Sequence, residues 1–265
     1  MTSMPYAIFI DIDDTLMAKN EIAKENITTI ERVRGLGHKV FLNTGRSYAS
    51  IPNFVLSATE YDGVVAGLGA YVRVGEDQLK FESIPNDLMV KLIDFLFETG
   101  KTTVIGGEKD LFYINDNGAR LFSFGDDKVK GPRPIESSND FRTKYKDIGI
   151  LKGTVYEPLN EKEIDYLSRY FTVYQHKHYA EFGMKGCSKT KGMQLVLDHL
   201  QIPKARSIAI GDSVNDLDML KNAGISVAMG NADDSIKAAC DIVTERAEEA
   251  GVAKALIKIL PLSLA

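Results

Sequence analysis

Two short acidic segments carry the chemistry that this 265-residue sequence could perform. Asp11-Ile12-Asp13-Asp14-Thr15-Leu16 follows the apolar run Ala7-Ile8-Phe9-Ile10, and Gly211-Asp212-Ser213-Val214-Asn215-Asp216 follows Ser207-Ile208-Ala209-Ile210. Helix capping explains one acid or hydroxyl in each, for instance Asp14 or Thr15 accepting from free N–H groups. It does not explain three acids at the end of a buried strand, which repel one another unless a cation neutralises them. If both segments share one crevice, Asp11/Asp13 and Asp212/Asp216 together call for a hard divalent cation with oxygen ligands, and Mg²⁺ is the natural candidate.

Two further segments supply what an anionic substrate needs. Phe41-Leu42-Asn43-Thr44-Gly45-Arg46 places a hydroxyl, a glycine and exposed backbone after a strand, as a cradle for phosphate oxygens requires, although Thr-Gly alone is more often a plain turn. Lys191-Gly192 opens an amphipathic helix that buries Leu195, Val196 and Leu200, with Lys189 nearby as a rival cation.

These segments are held by an alternation of strands and helices. Ala7-Ile8-Phe9-Ile10 reads as a strand buried on both faces, a helix spans about Ala23 to Leu36, and Lys39 to Asn43 is a second strand. The same alternation returns at Ser207 to Ile210 and Ile225 to Ala228. Between Phe81 and Phe182 the pattern becomes mixed, with turns at Asn117-Gly118, Gly131-Pro132 and Pro134. Helices are expected from Asn86 to Glu98 and Glu161 to Tyr170, and strands at Leu111 to Ile114 and Phe171 to Tyr174. The expected architecture is an α/β chain: a discontinuous parallel-sheet core formed by 1–81 and 183–265, with an inserted α+β cap domain, 82–182, over its active edge. Ligands of such sheets bind at the carboxyl ends of the strands, where all four segments lie.

Composition narrows the partners. Hydrophobic residues are 44% and charged residues 26% of the chain, an ordinary globular balance. A net charge of -5 argues against a general nucleic-acid or anionic-membrane binder, so phosphate must be met locally. The two cysteines, Cys187 and Cys240, form no metal or redox pattern and read as free thiols of a reducing compartment. The apolar run Tyr6 to Ile10 is too short for a signal or membrane segment, so the expected location is cytoplasmic. His176 and His178 alternate as on a strand face without a third ligand nearby, Met219 and Met229 read as core fillers, and Gly106-Gly107 and Lys152-Gly153 read as loops that line the site or simply turn the chain.

Taken together the segments resemble the haloacid dehalogenase-like hydrolase superfamily, Cof-like subclass IIB, over essentially the whole chain. Asp11-Ile12-Asp13-Asp14-Thr15-Leu16 is similar to the family's DxDGT motif, with Asp14 where glycine is usual. Thr44-Gly45-Arg46 resembles the second motif and Lys191-Gly192 the third, while Gly211 to Asp216 and Val227-Ala228-Met229-Gly230-Asn231-Ala232 resemble GDxxND and AMGNA. At Gly67-Leu68-Gly69-Ala70, Leu68 replaces a customary asparagine. The resemblance implies a Rossmann-like core with a cap and a Mg²⁺-dependent phosphatase of small phosphorylated metabolites, sugar phosphates first among them. It implies Asp11 as nucleophile, Asp13 as general acid/base, and Thr44, Gly45, Lys191 and Asn215 around the phosphate. Asp11, Asp212 and the backbone carbonyl of Asp13 would hold the metal, with Asp216 and Arg46 in support. A monomer or weak homodimer with no nucleic-acid or membrane partner is expected. A phosphomutase of the phosphomannomutase type would instead need a bisphosphate activator, and a non-catalytic phospho-ligand sensor would show no turnover.

Overall fold

The computed structural model describes residues 4–115 and 132–260, so the turns expected at Asn117-Gly118 and Gly131 lie outside the described residues. Ala7–Ile10 is fully buried and sits in the middle of an eight-stranded sheet. It pairs in parallel with Ser207–Gly211 on one side and Lys39–Asn43 on the other. Beyond these the parallel order continues through Ile225–Ala228 to Ile242–Val243 at one edge and to Gly63–Ala66 at the other. Tyr71–Val74 and Asp77–Phe81 then extend that second edge in antiparallel fashion.

The period of two in these strands divides the core between the two faces of the sheet. Ile8, Ile10, Val40, Leu42, Ile208 and Ile210 face the helices Lys24–Gly35 and Gly251–Ile259. Ala7, Phe9, Phe41 and Ala209 face Lys189–Leu200 and Leu217–Asn222, where Met193, Val196 and Met219 meet them. Both faces must be apolar because both are covered, which is why these strands read as unbroken hydrophobic runs. Met219 and Met229 are fully buried, as core fillers should be.

The chain between the two parts of this sheet builds a second, six-stranded one in the order Arg133–Pro134, Leu111–Ile114, Thr103–Gly107, Ile150–Val155, Ala180–Met184, Phe171–Gln175. Ile105, Phe112, Ile114, Ile150 and Phe171 pack on one face with the helices Asn86–Thr99 and Glu161–Ser168. The opposite face is turned to the first sheet. Gly106-Gly107 and Lys152-Gly153, expected as loops, lie inside strands. Their glycines serve close packing: a Cβ on Gly106 would fall 2.1 Å from Ser47 Oγ, and one on Gly153 would fall 2.2 Å from the Phe182 ring. Ala180–Met184 also carries the second sheet two residues past Phe182. Among the described residues no helix is long and apolar enough to cross a membrane.

Candidate active site

Going out from Ala7–Ile10, successive strands of the sheet progress in one direction through Lys39–Asn43 and in the other from Ser207–Gly211. This is the topological switch point, where a crevice opens beyond the carboxyl ends of the strands. Asp11 follows the first strand and Asp212 the neighbouring one, so paired strands bring together acids 201 positions apart.

The first segment turns sharply after its strand. Asp11 accepts from the Leu16 N–H and Ile12 from the Met17 N–H, while Asp14 takes φ 53°. That left-handed conformation explains a position commonly held by glycine, and aspartate is one of the few other residues that visit it readily. Asn231, from the stretch following the strand Ile225–Ala228, donates to the Asp14 carbonyl at 2.7 Å and ties the turn down.

Asp11 is 5% exposed and its carboxyl is raised well above the ordinary range, first by burial and then by Asp216, Asp212 and Asp13, against the opposing pull of Lys189. Asp212 is pushed up to about 8, chiefly by burial and by Asp216, with Lys189 and a 3.1 Å hydrogen bond from Thr15 Oγ1 acting the other way. Oxygens of Asp11, Asp212 and Asp216 lie within 4.8 Å of one another. Hard oxygen donors under mutual repulsion are the donor set that suits Mg²⁺, and a bound cation would relieve the cost that raises these two acids. The Asp13 carboxylate does not join the cluster. Arg46 holds it in a bidentate pair, Nε to Oδ2 and Nη2 to Oδ1 both at 2.7 Å, and anchors itself on the Ser50 carbonyl at 2.8 Å.

The cation at the centre is Lys189. Its Nζ lies 2.7 Å from Asp11 Oδ1 and 2.6 Å from Asp216 Oδ1, and the residue is 2% exposed. Burial pulls its pKa down, but the two flanking carboxylates more than reverse this and raise it. Lys191, expected here from the Lys-Gly pair, is exposed and contributes only its backbone N–H, which donates to the Ser188 Oγ cap. The reason is helical phase: two residues advance a side chain about 200° around the axis, so only one of the pair can face the strand ends. The legible signal was Ser188, an N-cap that makes Lys189 the first residue of the helix.

Asp216 is fully buried, and its second oxygen accepts from the Asp212 and Ser213 N–H groups at 3.2 and 3.1 Å, shaping the loop that presents Asp212. Gly211 must lack a side chain, because a Cβ would sit 2.6 Å from Asp216 Cγ. Thr44 is buried beneath the cavity and its Oγ1 accepts from the Arg46 N–H at 3.1 Å. Asn215 reaches across to the second sheet, where its Nδ2 donates to Glu181 Oε2 at 2.8 Å. Gly45 lies under this contact; a Cβ there would be 3.1 Å from Glu181 Oε1.

The strand ends and the second sheet enclose a cavity of about 320 Å³ lined by Asp11, Asp13, Thr44, Gly45, Arg46, Asp212 and Asn215 below. Lys152, Thr154, Tyr156, Tyr179 and Glu181 line it from above. A more open groove of about 1060 Å³ beside Arg34, Lys39 and Asp62 is larger, but neither Asp11, Asp13, Thr44, Asp212 nor Asp216 lines it. The upper residues had no recognisable motif. They come from alternate positions of Ile150–Val155 and Ala180–Met184 and their flanks, and Thr154 pairs with Glu181 across the ladder. His176 lies in the connection between strands, stacked on Tyr179 with ring centroids 4.2 Å apart and Nε2 3.5 Å from Glu181 Oε2. Both cysteines are free thiols.

A family model described as haloacid dehalogenase-like hydrolase matches residues 8–256. The chain is 29% identical to 5-amino-6-(5-phospho-D-ribitylamino)uracil phosphatase YitU of Bacillus subtilis (strain 168), covering 97% of this chain and 98% of the relative. It is 26% identical to phosphatase YwpJ of the same organism, over 96% and 99% of the two chains. Among solved structures it is similar to a subclass IIB sugar phosphatase of the HAD superfamily, with a TM-score of 0.81, 26% identity, and coverage of 96% and 98%.

Proposed function

Because the chain belongs to the haloacid dehalogenase-like hydrolase family and is by that membership a phosphatase, we propose that it hydrolyses small phosphorylated metabolites, sugar phosphates foremost, with Mg²⁺ and through an aspartyl phosphate on Asp11. The observation that carries this reading is Lys189 clamped between Asp11 and Asp216, with Asp212 beside them at the end of the neighbouring strand.

A phosphate monoester resists attack because its charge repels an anionic nucleophile, so the site must neutralise charge and fix an in-line approach. Lys189 serves the first need and also aims one oxygen of Asp11. Asp11, Asp212 and the backbone carbonyl of Asp13 would hold Mg²⁺, which when bound would supply charge neutralisation at the transferred phosphoryl group. Thr44 Oγ1 and the backbone at Gly45 receive phosphoryl oxygens. An oxygen of Asp11 attacks phosphorus, the bond to the leaving oxygen breaks with its electron pair, and Asp13 protonates that oxygen. Water then attacks the aspartyl phosphate, Asp13 takes its proton, and the bond between phosphorus and Asp11 breaks to free inorganic phosphate. For both transfers Asp13 must exchange Arg46 for the reacting oxygen, so the Arg46 pair is the resting arrangement of the acid. The second sheet and its helices act as a cap, formed by 82–182 with the end of the Ala180–Met184 strand, that excludes bulk water and selects the leaving group.

The test is a screen of phosphorylated metabolites with Mg²⁺, including 5-amino-6-(5-phospho-D-ribitylamino)uracil. Turnover to free phosphate, abolished by chelation and restored by Mg²⁺, is expected. Full activity of the metal-stripped protein would overturn the metal assignment, and binding of phosphate esters without turnover would identify a sensor.

A further inference from the structure

Every cation that lines the cavity is already committed to a carboxylate. Among the described residues these cations are two: Arg46, held bidentate by Asp13, and Lys152, paired through its Nζ with Glu181 Oε1. Lys152 is 4% and Glu181 7% exposed, so the pair is withdrawn from solvent in the roof of the cavity. Burial works against the Glu181 carboxylate, yet Lys152 and His176 hold it well below the usual carboxylate range, so it is a fixed anion. Charges buried in this way are tolerated only with further hydrogen bonds, and Glu181 Oε2 takes one from Asn215.

The pair therefore offers donors and acceptors without offering net charge. Lys152 uses one of its three N–H groups on Glu181, and the carboxylate retains acceptor capacity beyond the lone pairs facing Lys152, Asn215 and His176. Thr154 and Tyr179 border it with a hydroxyl and an aromatic ring. A group with adjacent hydroxyls can accept from Lys152 and donate to Glu181 at once. A second phosphate or a carboxylate on the leaving group would meet Glu181 with no unpaired cation in the lining to compensate, and like-charge contacts in a desolvated site are strongly unfavourable.

We propose that Lys152 and Glu181 are the specificity-determining pair of this site, binding hydroxyls of an uncharged polyhydroxylated leaving group and rejecting leaving groups that carry a second anion. The proposal rests on the phosphatase reading above. It further assigns Glu181 as the reason a bisphosphate is a poor ligand.

The experiment compares kcat/KM of the full chain with Mg²⁺ for D-glucose 6-phosphate against D-glucose 1,6-bisphosphate, and D-fructose 6-phosphate against D-fructose 1,6-bisphosphate, with p-nitrophenyl phosphate as a reference ester. The wild-type protein should favour the monophosphates by about 30-fold or more. Glu181→Gln keeps the hydrogen-bonding shape but unmasks Lys152, so the monophosphate preference should fall by about tenfold. Lys152→Met leaves Glu181 without its cation, so the preference should rise. Opposite shifts mark a charge effect, whereas a merely structural role would move both variants the same way. A wild-type protein that uses the bisphosphates equally well, or variants whose preference is unchanged or shifts in one direction, would overturn the proposal. So would turnover of p-nitrophenyl phosphate with neither hexose monophosphate hydrolysed. If a variant fails to fold by circular dichroism, the wild-type preference alone decides. Absence of hydrolysis of any ester, p-nitrophenyl phosphate included, would instead count against the phosphatase reading.

Discussion

Lys189 Nζ stands 2.7 Å from Asp11 Oδ1, so the nucleophile assigned to the first strand is oriented by the first residue of a helix 178 positions away. This contact separates two lysines that look equivalent in sequence. Lys189→Ala should lower kcat/KM by about a thousandfold, since a buried charge-stabilising donor is lost. It also leaves Asp11 and Asp216 facing each other without their cation, so its melting temperature should fall in the absence of Mg²⁺. Lys191→Ala, at an exposed side chain, should stay within about threefold of wild type. Steady-state kinetics on both variants decides, and the reverse ranking would remove Lys189 from the chemistry.

The two carboxylates of the first motif should fail differently. Asp11→Asn cannot form a phosphoenzyme with any substrate, because an amide does not supply the attacking oxygen. Asp13→Asn should still be phosphorylated by an aryl phosphate, whose phenolate leaves with little protonation, but water attack without a base should be slow. Phosphoenzyme should then accumulate on Asp11. Rapid quenching followed by peptide mapping of a hydroxylamine-sensitive acyl phosphate tests this; label on Asp13 in the Asp11→Asn protein would refute the assignment.

The acidic cluster makes metal and pH interdependent. In the metal-free protein Asp11 is raised and Asp212 is pushed up to about 8, so the folded chain holds protons that the unfolded chain has released. Stability from such raised groups is fully present below the ordinary carboxylate pKa and is lost as pH rises through their folded values. The melting temperature of metal-free protein should therefore drop as pH rises from about 4 to about 8, and saturating Mg²⁺ should oppose that drop by binding the deprotonated cluster. Asp212→Ala should weaken the Mg²⁺-induced rise in melting temperature. Calorimetry in two pH buffers checks both; identical pH profiles with and without Mg²⁺ would contradict a metal at these acids.

Leu68 illustrates competing terms of known size. It adopts φ 56° between Gly67 and Gly69, also at positive φ, and is 2% exposed, with Cδ1 close to Gly183 of the second sheet. The left-handed backbone costs leucine about 1–2 kcal/mol, which asparagine would reduce. Burying the leucine side chain contributes about 1.5–3 kcal/mol, and an amide without partners there would cost about 1–3 kcal/mol more. Burial outweighs strain. Leu68→Asn should accordingly destabilise the protein by about 2 kcal/mol or more in urea denaturation, and a stabilised variant would show that strain dominates.

The positions of Asp11, Thr44 and Asp212 were legible in the sequence because each closely follows a short, mostly apolar run, and a strand buried on both faces leaves its next residue at the sheet's carboxyl edge. The parallel core and the helices Asn86–Thr99 and Glu161–Ser168 followed from the same local periodicity. Which lysine meets Asp11 depends on the phase at which the helix starts and not on the presence of a Lys-Gly pair; Ser188 marks that start in the sequence, but only the tertiary structure brings Lys189 to Asp11. It also decided that Asp13 rests on Arg46 and that Lys152, Tyr156, Tyr179 and Glu181 roof the cavity. Glycines that read as loop residues, lining the site or turning the chain, were strand residues making room for Ser47 and Phe182, and strand register placed Thr154 opposite Glu181. Contacts of this kind join residues far apart in the chain through the packing of one sheet over another, and no local pattern of residue types encodes them.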